Sequence, residues 1–521
     1  MRRFLLALTL MISAAAWASD IYVAQNAAGA NSGADCADAH SVSWFNSSAN
    51  WGTGGNQIGP GTTVHLCGVF TGATGSTMLT VQGNGSSGNP IIILFESGAI
   101  IQAPYFSTTN GAINLSGSSY ITIDGGANGI LQSTDNGTAK KYQIDGNLGI
   151  VVNSTSNITI KNLAINNFYV RVANTSGGTG FNSSAINGVN SSNLLVDTVS
   201  ITNVKTGVGI AFSSNGSNYE VRNSYFLSTE VPTILATGSP NTTYTNVLVH
   251  GNNFAGGDDA WDDPAGNSFH HDGGGHYWAQ ASNAHIVNLR FYNNWIHGIW
   301  GNDATYFSKT GGTHITAWVY PEETGGDVWL YNNIFDMTSG DIRYQSGDNG
   351  TIFCKSSNSS GMHCHAFNNV FLGPSGNTTY AVGYETDGSS GDVVENNLYM
   401  NLGVAYYLGG AGNSSISSDY NIFYNIGGSG WNQNSYSSWI SGGRDTHSPT
   451  STSVNPNLDS NYKLAAGSIA ISAAVNSTNL GINTLDSDKA GVARPASGNW
   501  DAGSYQFSGN PPPQGLVSVV H

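Results

Sequence analysis

Apolar residues in this chain alternate with polar ones over short runs, and each run ends at an Asn, Asp or Gly. Ile158-Thr-Ile-Lys-Asn162, Leu195-Val-Asp197, Val221-Arg-Asn223, Val249-His-Gly251, Phe291-Tyr-Asn293, Leu330-Tyr-Asn332, Ala366-Phe-Asn368 and Val394-Glu-Asn396 are successive versions of one phrase. A period of two predicts half-buried strands, whereas no long stretch places apolar residues at the 3.6-residue spacing of a helix. Ile, Val, Thr, Tyr and Phe fill the apolar positions and favour strands, while Gly and Asn accept the left-handed backbone of tight corners.

Phrase ends fall at 162, 197, 223, 251, 293, 332, 368 and 396, between 26 and 42 residues apart. A repeat of that length implies stacked units, none able to bury its apolar face alone, with insertions of unequal length between constant strands. Asn293, Asn332, Asn368 and Asn396 are expected at one corner of successive coils, their amides stacked into a hydrogen-bonded ladder. Trp295, two residues past such a corner, is expected to point inward.

These phrases, over roughly residues 90 to 430, resemble the right-handed parallel β-helix superfamily that contains pectate lyases and polygalacturonases. The resemblance implies an all-β fold: a single-stranded right-handed parallel β-helix, or β-solenoid, with N- and C-terminal caps and long lateral loops. The segment Tyr462 to Ile471, with Asp501-Ala-Gly-Ser-Tyr505, looks like the terminal segment of such proteins and implies a C-terminal cap. The domain reading is a signal peptide over 1–18, an N-terminal cap and first strands over 19–89, coils over 90–460, a capping segment over 461–508 and a Pro-rich tail over 509–521.

Arg2 and Arg3, the apolar run Phe4 to Ile12 and Ala16-Trp-Ala18 have the order of a secretory signal, so export to the periplasm or the extracellular space is expected. No later run approaches the roughly 20 apolar residues of a membrane span. Four cysteines lie in two near pairs, Cys36 with Cys67 and Cys354 with Cys364; both pairs read as disulfides, the alternative being buried thiols. The formal net charge of −16, from 32 acidic and 16 basic residues, argues against a nucleic-acid partner. It also disfavours a strongly anionic substrate unless a metal ion or a local basic patch intervenes.

Chemistry-bearing residues crowd the widest gaps between phrases. Asp258, Asp259, Asp262, Asp263 and Asp272 could supply the carboxylate pair of glycoside hydrolysis, with His271 beside them. The alternative for the first four is turn formation. His270, His276, Trp278, His297, Trp300, Tyr306, Lys309 and Arg343 are expected to bind sugar, Trp278 and Trp300 as stacking platforms. The chain lacks the pectate lyase motifs, and of the polygalacturonase pattern only Gly257-Asp258-Asp259 has a counterpart.

The favoured reading is a secreted glycoside hydrolase, monomeric and acting on a polysaccharide or oligosaccharide, with no required cofactor and calcium compatible with the acidic loops. The first rival is a cation-assisted polysaccharide lyase or uronate epimerase, for which Lys309, Arg343 and Lys355 are the available bases and cations. The second is a non-catalytic sugar-binding or adhesion protein.

Overall fold

The computed structural model describes residues 20–135, 146–168, 183–256, 273–298, 318–339, 350–356, 361–374, 381–388, 390–409 and 415–507. Among these, 33 strands join into one continuous sheet, and every ladder between them is parallel. The chain winds as a right-handed parallel β-helix.

One coil shows the plan. The strand Thr243–His250 lies on the first face, Gly251 and Asn252 turn the corner, and the short strand Asn253–Phe254 forms the second face. After the insertion that follows, Gly275–Ala279 forms the third face, and the next coil starts at His285–Tyr292. The register is regular: His250, Tyr292, Tyr331, Phe367 and Glu395 are paired coil to coil. Parallel pairing begins at Asp20–Ala24 and its last described strand is Ile422–Tyr424, so the coils start before residue 90 and close before 460.

Inward positions on all three faces are mostly apolar and meet in a single core, with buried threonines such as Thr233 and Thr386 on the third face. Val247, Val249, Leu289, Phe291, Val328 and Leu330 from the first face are all fully buried. On the second face Phe335, Phe371, Tyr399 and Phe423 stack along the axis at centroid spacings of 5.0, 4.6 and 5.4 Å. The spacing is that of parallel strands, so each ring covers the next.

The corner after the first face carries two different asparagines. Asn293, Asn332, Asn368 and Asn396 line up as expected and hold φ between 53 and 62°. The continuous amide ladder, however, is one residue later. Asn252, Asn294, Asn333, Asn369, Asn397 and Asn421 are buried, and the backbone N–H of each of the first five donates to the side-chain oxygen of the next at 2.9–3.0 Å. Their amide nitrogens donate back to core-strand carbonyls, for example Asn333 Nδ2 to Phe291 O at 2.9 Å. The corner residue needs a left-handed backbone; its successor points inward and must satisfy the backbone groups that the corner leaves unpaired. At the far end Asp445 and Ser448 close the ladder against Asn421.

Both expected disulfides form, Cys36–Cys67 and Cys354–Cys364, with Cα separations of 5.6 and 6.5 Å. At the N-terminal end the short helix Val42–Phe45 sets Phe45 edge-on to Trp51 over the first coils. The C-terminal segment departs from expectation. Trp431, Tyr436 and Trp439 close the end of the core, whereas Leu464, Ala470, Ile482, Leu485 and Trp500 pack as a strap along the flank, over Tyr292, Tyr331, Phe367 and Leu398. Corner asparagines hold that strap: Asn332 Nδ2 donates to Ser487 O at 2.8 Å and Asn368 Nδ2 to Asp501 O at 3.0 Å. Trp295 lies on this outer side as well, stacked on His297 and close to Tyr462, instead of pointing inward.

Lys489, in the strap, donates to Asn293 O and is enclosed enough that burial pushes its amine down to about 7. Between pH 7 and the unfolded value near 10.5 the unfolded chain holds a proton that the folded chain has released. Stability from this residue therefore rises with pH across that window, and below it the buried charge is a constant penalty. Lys489→Met is expected to melt above wild type at pH 7 and by a clearly smaller margin at pH 9, measured by thermal unfolding at both values. An equal gap at both would refute a buried, neutral amine.

Candidate active site on the third face

The long insertions enter just before third-face strands, so the outward side of that face is where inserted residues and strand residues meet. Alternation sends Ile234, His276, Tyr320, Phe353, Glu385 and Tyr407 outward in one row, and Ala236, Trp278, Glu322, Lys355, Asp387 and Gly409 in the next. The first row is closed over: His276, Tyr320, Phe353 and Glu385 are all buried. His276 stacks on Tyr320 at 4.7 Å and Tyr320 on Phe353 at 4.9 Å. The second row is partly open, with the Lys355 side chain 24% exposed and that of Glu322 10%.

Glu322 is the hub. His276 Nε2 lies 3.5 Å from its Oε2 and Lys355 Nζ 3.5 Å from its Oε1. Burial by itself pushes this carboxyl up, but the hydrogen bond and charge of His276, the charge of Lys355 and the Gln280 amide outweigh it and hold the group at about 2. His276 feels two opposed influences as well: burial lowers it more than Glu322 raises it, and its Nε2–H faces the carboxylate. Just past Glu322 the chain turns at Glu323, φ 55°, whose N–H donates to Lys355 O at 2.8 Å and locks the two coils in register. Cys354, next to Lys355 and facing the core, is tied by its disulfide to the first-face strand Met362–Phe367. The amine is thus carried on a strand fixed from both sides.

The sequence-derived site divides three ways. His276 and Trp278 fall on this face, His276 as a buried support for Glu322 and Trp278 in the open row beside it. His297 does not join them. It sits on the second face, where Nε2 is 2.7 Å from Asn253 Oδ1, and burial lowers its imidazole. Asp258, Asp259, Asp262, Asp263, His270, His271, Asp272, Trp300, Tyr306, Lys309 and Arg343 lie outside the described residues. Glu385 and Asp387 were not among the sequence candidates. The available signal was a charged residue closing a second strand phrase within each coil: Val319-Tyr-Pro-Glu322, Ile352-Phe-Cys-Lys355 and Tyr384-Glu-Thr-Asp387.

Among the described residues no group of three or more His, Cys, Asp or Glu is arranged to hold a metal ion, and no helix is long and apolar enough to cross a membrane. No protein-family model matches the chain, and no curated protein does. Among solved structures it is similar to pectate lyase Pel9A, at 12% identity over 95% of this chain and 98% of that one, with a TM-score of 0.45. An alginate lyase from Paenibacillus sp. str. FPU-7 shares 12% identity over 76% of this chain and 97% of that one, TM-score 0.34. A rhamnogalacturonan lyase shares 9% identity over 89% and 98%, TM-score 0.37.

Proposed function

We propose that this chain is an exported enzyme that cleaves an acidic polysaccharide by β-elimination on the third face of the helix. The observation that supports it is the Lys355–Glu322 pair: a partly open amine beside a carboxylate held at about 2. Hydrolysis needs a carboxyl that keeps its proton at working pH, and Glu322 is tuned the opposite way. Elimination instead needs positive charge against the sugar carboxylate, so that the adjacent C–H can ionise, and a base to take that proton. Lys355 supplies the charge, Glu322 fixes its position and Trp278 offers a ring to the neighbouring sugar. For the base we look to the insertions, to His270, His271 or Lys309. Calcium bound by Asp258, Asp259, Asp262 or Asp263 would add positive charge to an acidic face. The two disulfides support export to an oxidising compartment.

The test is a panel of uronate-containing and neutral polysaccharides, with and without chelator, followed for reducing ends and for the ultraviolet absorbance of an unsaturated uronate. Elimination gives both signals together. Reducing ends without the absorbance would mean hydrolysis, and binding with neither would mean a lectin.

A further inference from the structure

Along the open row the residues follow one another coil by coil as Ala236, Trp278, Glu322, Lys355, Asp387 and Gly409. A single positive charge therefore stands between two carboxylates, Glu322 one coil before it and Asp387 one coil after. The strand Val382–Asp387 turns a further carboxylate, Glu385, to the same face two residues earlier. On the other side of Glu322 the row is uncharged, through Trp278 and Ala236.

We propose that the substrate of this site is a heteropolymer in which uncharged sugars separate the uronates, and that Asp387 is a residue that enforces this choice. The inference rests on the elimination reading given above. Coils repeat about every 4.8 Å, comparable with the advance of one sugar unit, so a polymer lying along the axis sets successive sugars over successive coils. When one uronate meets Lys355, its two neighbours lie over Glu322 and Asp387. In a homopolymer both neighbours bring carboxylates against carboxylates, well inside the roughly 8 Å Debye length of physiological salt, so the repulsion is only partly screened. Glu322 cannot relieve the clash by taking a proton at any ordinary pH, because His276 and Lys355 hold it ionised. An uncharged sugar on either side removes the repulsion and leaves hydroxyls to meet the carboxylates. The negative, positive, negative order of the row is thus complementary to an alternation of neutral and charged sugars, a case of specificity set by what is repelled.

The experiment compares kcat/KM for release of unsaturated uronate from polygalacturonate and from a rhamnogalacturonan backbone, whose galacturonates alternate with a neutral deoxyhexose. Wild-type protein is expected to favour the alternating polymer at least tenfold, with the preference shrinking as salt is raised. Asp387→Asn, with its fold checked by circular dichroism, is expected to raise kcat/KM on polygalacturonate about fivefold and to reduce the preference accordingly. A wild-type protein that cleaves both polymers equally, or prefers polygalacturonate, overturns the proposal while leaving the elimination reading standing. An Asp387→Asn variant that slows on both by one common factor overturns the role of Asp387. If wild type releases no unsaturated uronate from either polymer, the elimination reading itself falls and this inference with it.

Discussion

Asn369→Ala is expected to destabilise the protein by about 4 kcal/mol. The side-chain oxygen of Asn369 accepts the backbone N–H of Asn333 at 3.0 Å and its amide at 3.0 Å. Its own amide donates to Leu330 O at 2.8 Å and to Asn397 Oδ1 at 3.0 Å. All of these groups are buried, so truncation leaves a backbone N–H and a backbone carbonyl with no access to water. Each such group costs roughly 1–3 kcal/mol, in addition to the small cavity. The comparison is Asn425→Ala: Asn425 donates to Asn401 Oδ1 at 2.8 Å in an exposed stack, where water replaces the lost partner and about 0.5 kcal/mol is expected. Urea unfolding of the two variants reads the difference as a shift in midpoint. Equal midpoints would mean that the inner ladder is a by-product of coil stacking and contributes no more than the outer one.

The same asparagines show how far the sequence can be read. Phrases ending in Asn, Asp or Gly announce the coil, and the register follows: Lys161, Asp197, Arg222, His250 and Tyr292 do pair in turn. In this register the corner after Lys161 falls next at Thr198, whose φ is 55°, one residue past the Asp197 that closes the phrase in sequence. Which of two adjacent asparagines enters the core is not visible in sequence, because a corner interrupts the alternation that tells inside from outside. Trp295 was misplaced for the same reason. His276 and His297 differ in another way. Alternation gives the side of a strand but not which of three faces the strand belongs to. The first-face strand His285–Tyr292 with its corner lies between these two, so His276 ends on the third face and His297 on the second face of the next coil. Glu322, Lys355 and Asp387 are 33 and 32 residues apart and inconspicuous singly. Only the coil register brings them into one row, whereas acid density in the sequence draws attention to the insertions instead.

Lys355→Met should lower elimination about a thousandfold while the protein stays folded. The estimate follows from what one preorganised charge contributes where a negative charge develops: loss of a comparable group in other enzymes costs about 10²–10³ in rate. Lys355 is only partly buried and Met keeps most of its length and its apolar stem, so packing against the neighbouring coils is largely preserved. Glu322 then retains His276 as its partner but loses the nearby charge that helps to hold it at about 2, and its carboxyl rises. The sign of the stability effect follows. A carboxyl lowered from 4.5 to about 2 stabilises the fold at every pH above 4.5, and that contribution is lost as pH falls toward 2. In Lys355→Met the contribution is smaller, so the variant should be slightly less stable at neutral pH and match wild type in strong acid. Activity and stability therefore separate: kcat/KM collapses, whereas the melting temperature falls by a few degrees at most. Rate retained within tenfold would show that this amine does not face the reacting carboxylate. A collapsed melting temperature would show that it is needed to hold the coils, and the chemistry would then have to be assigned to other residues.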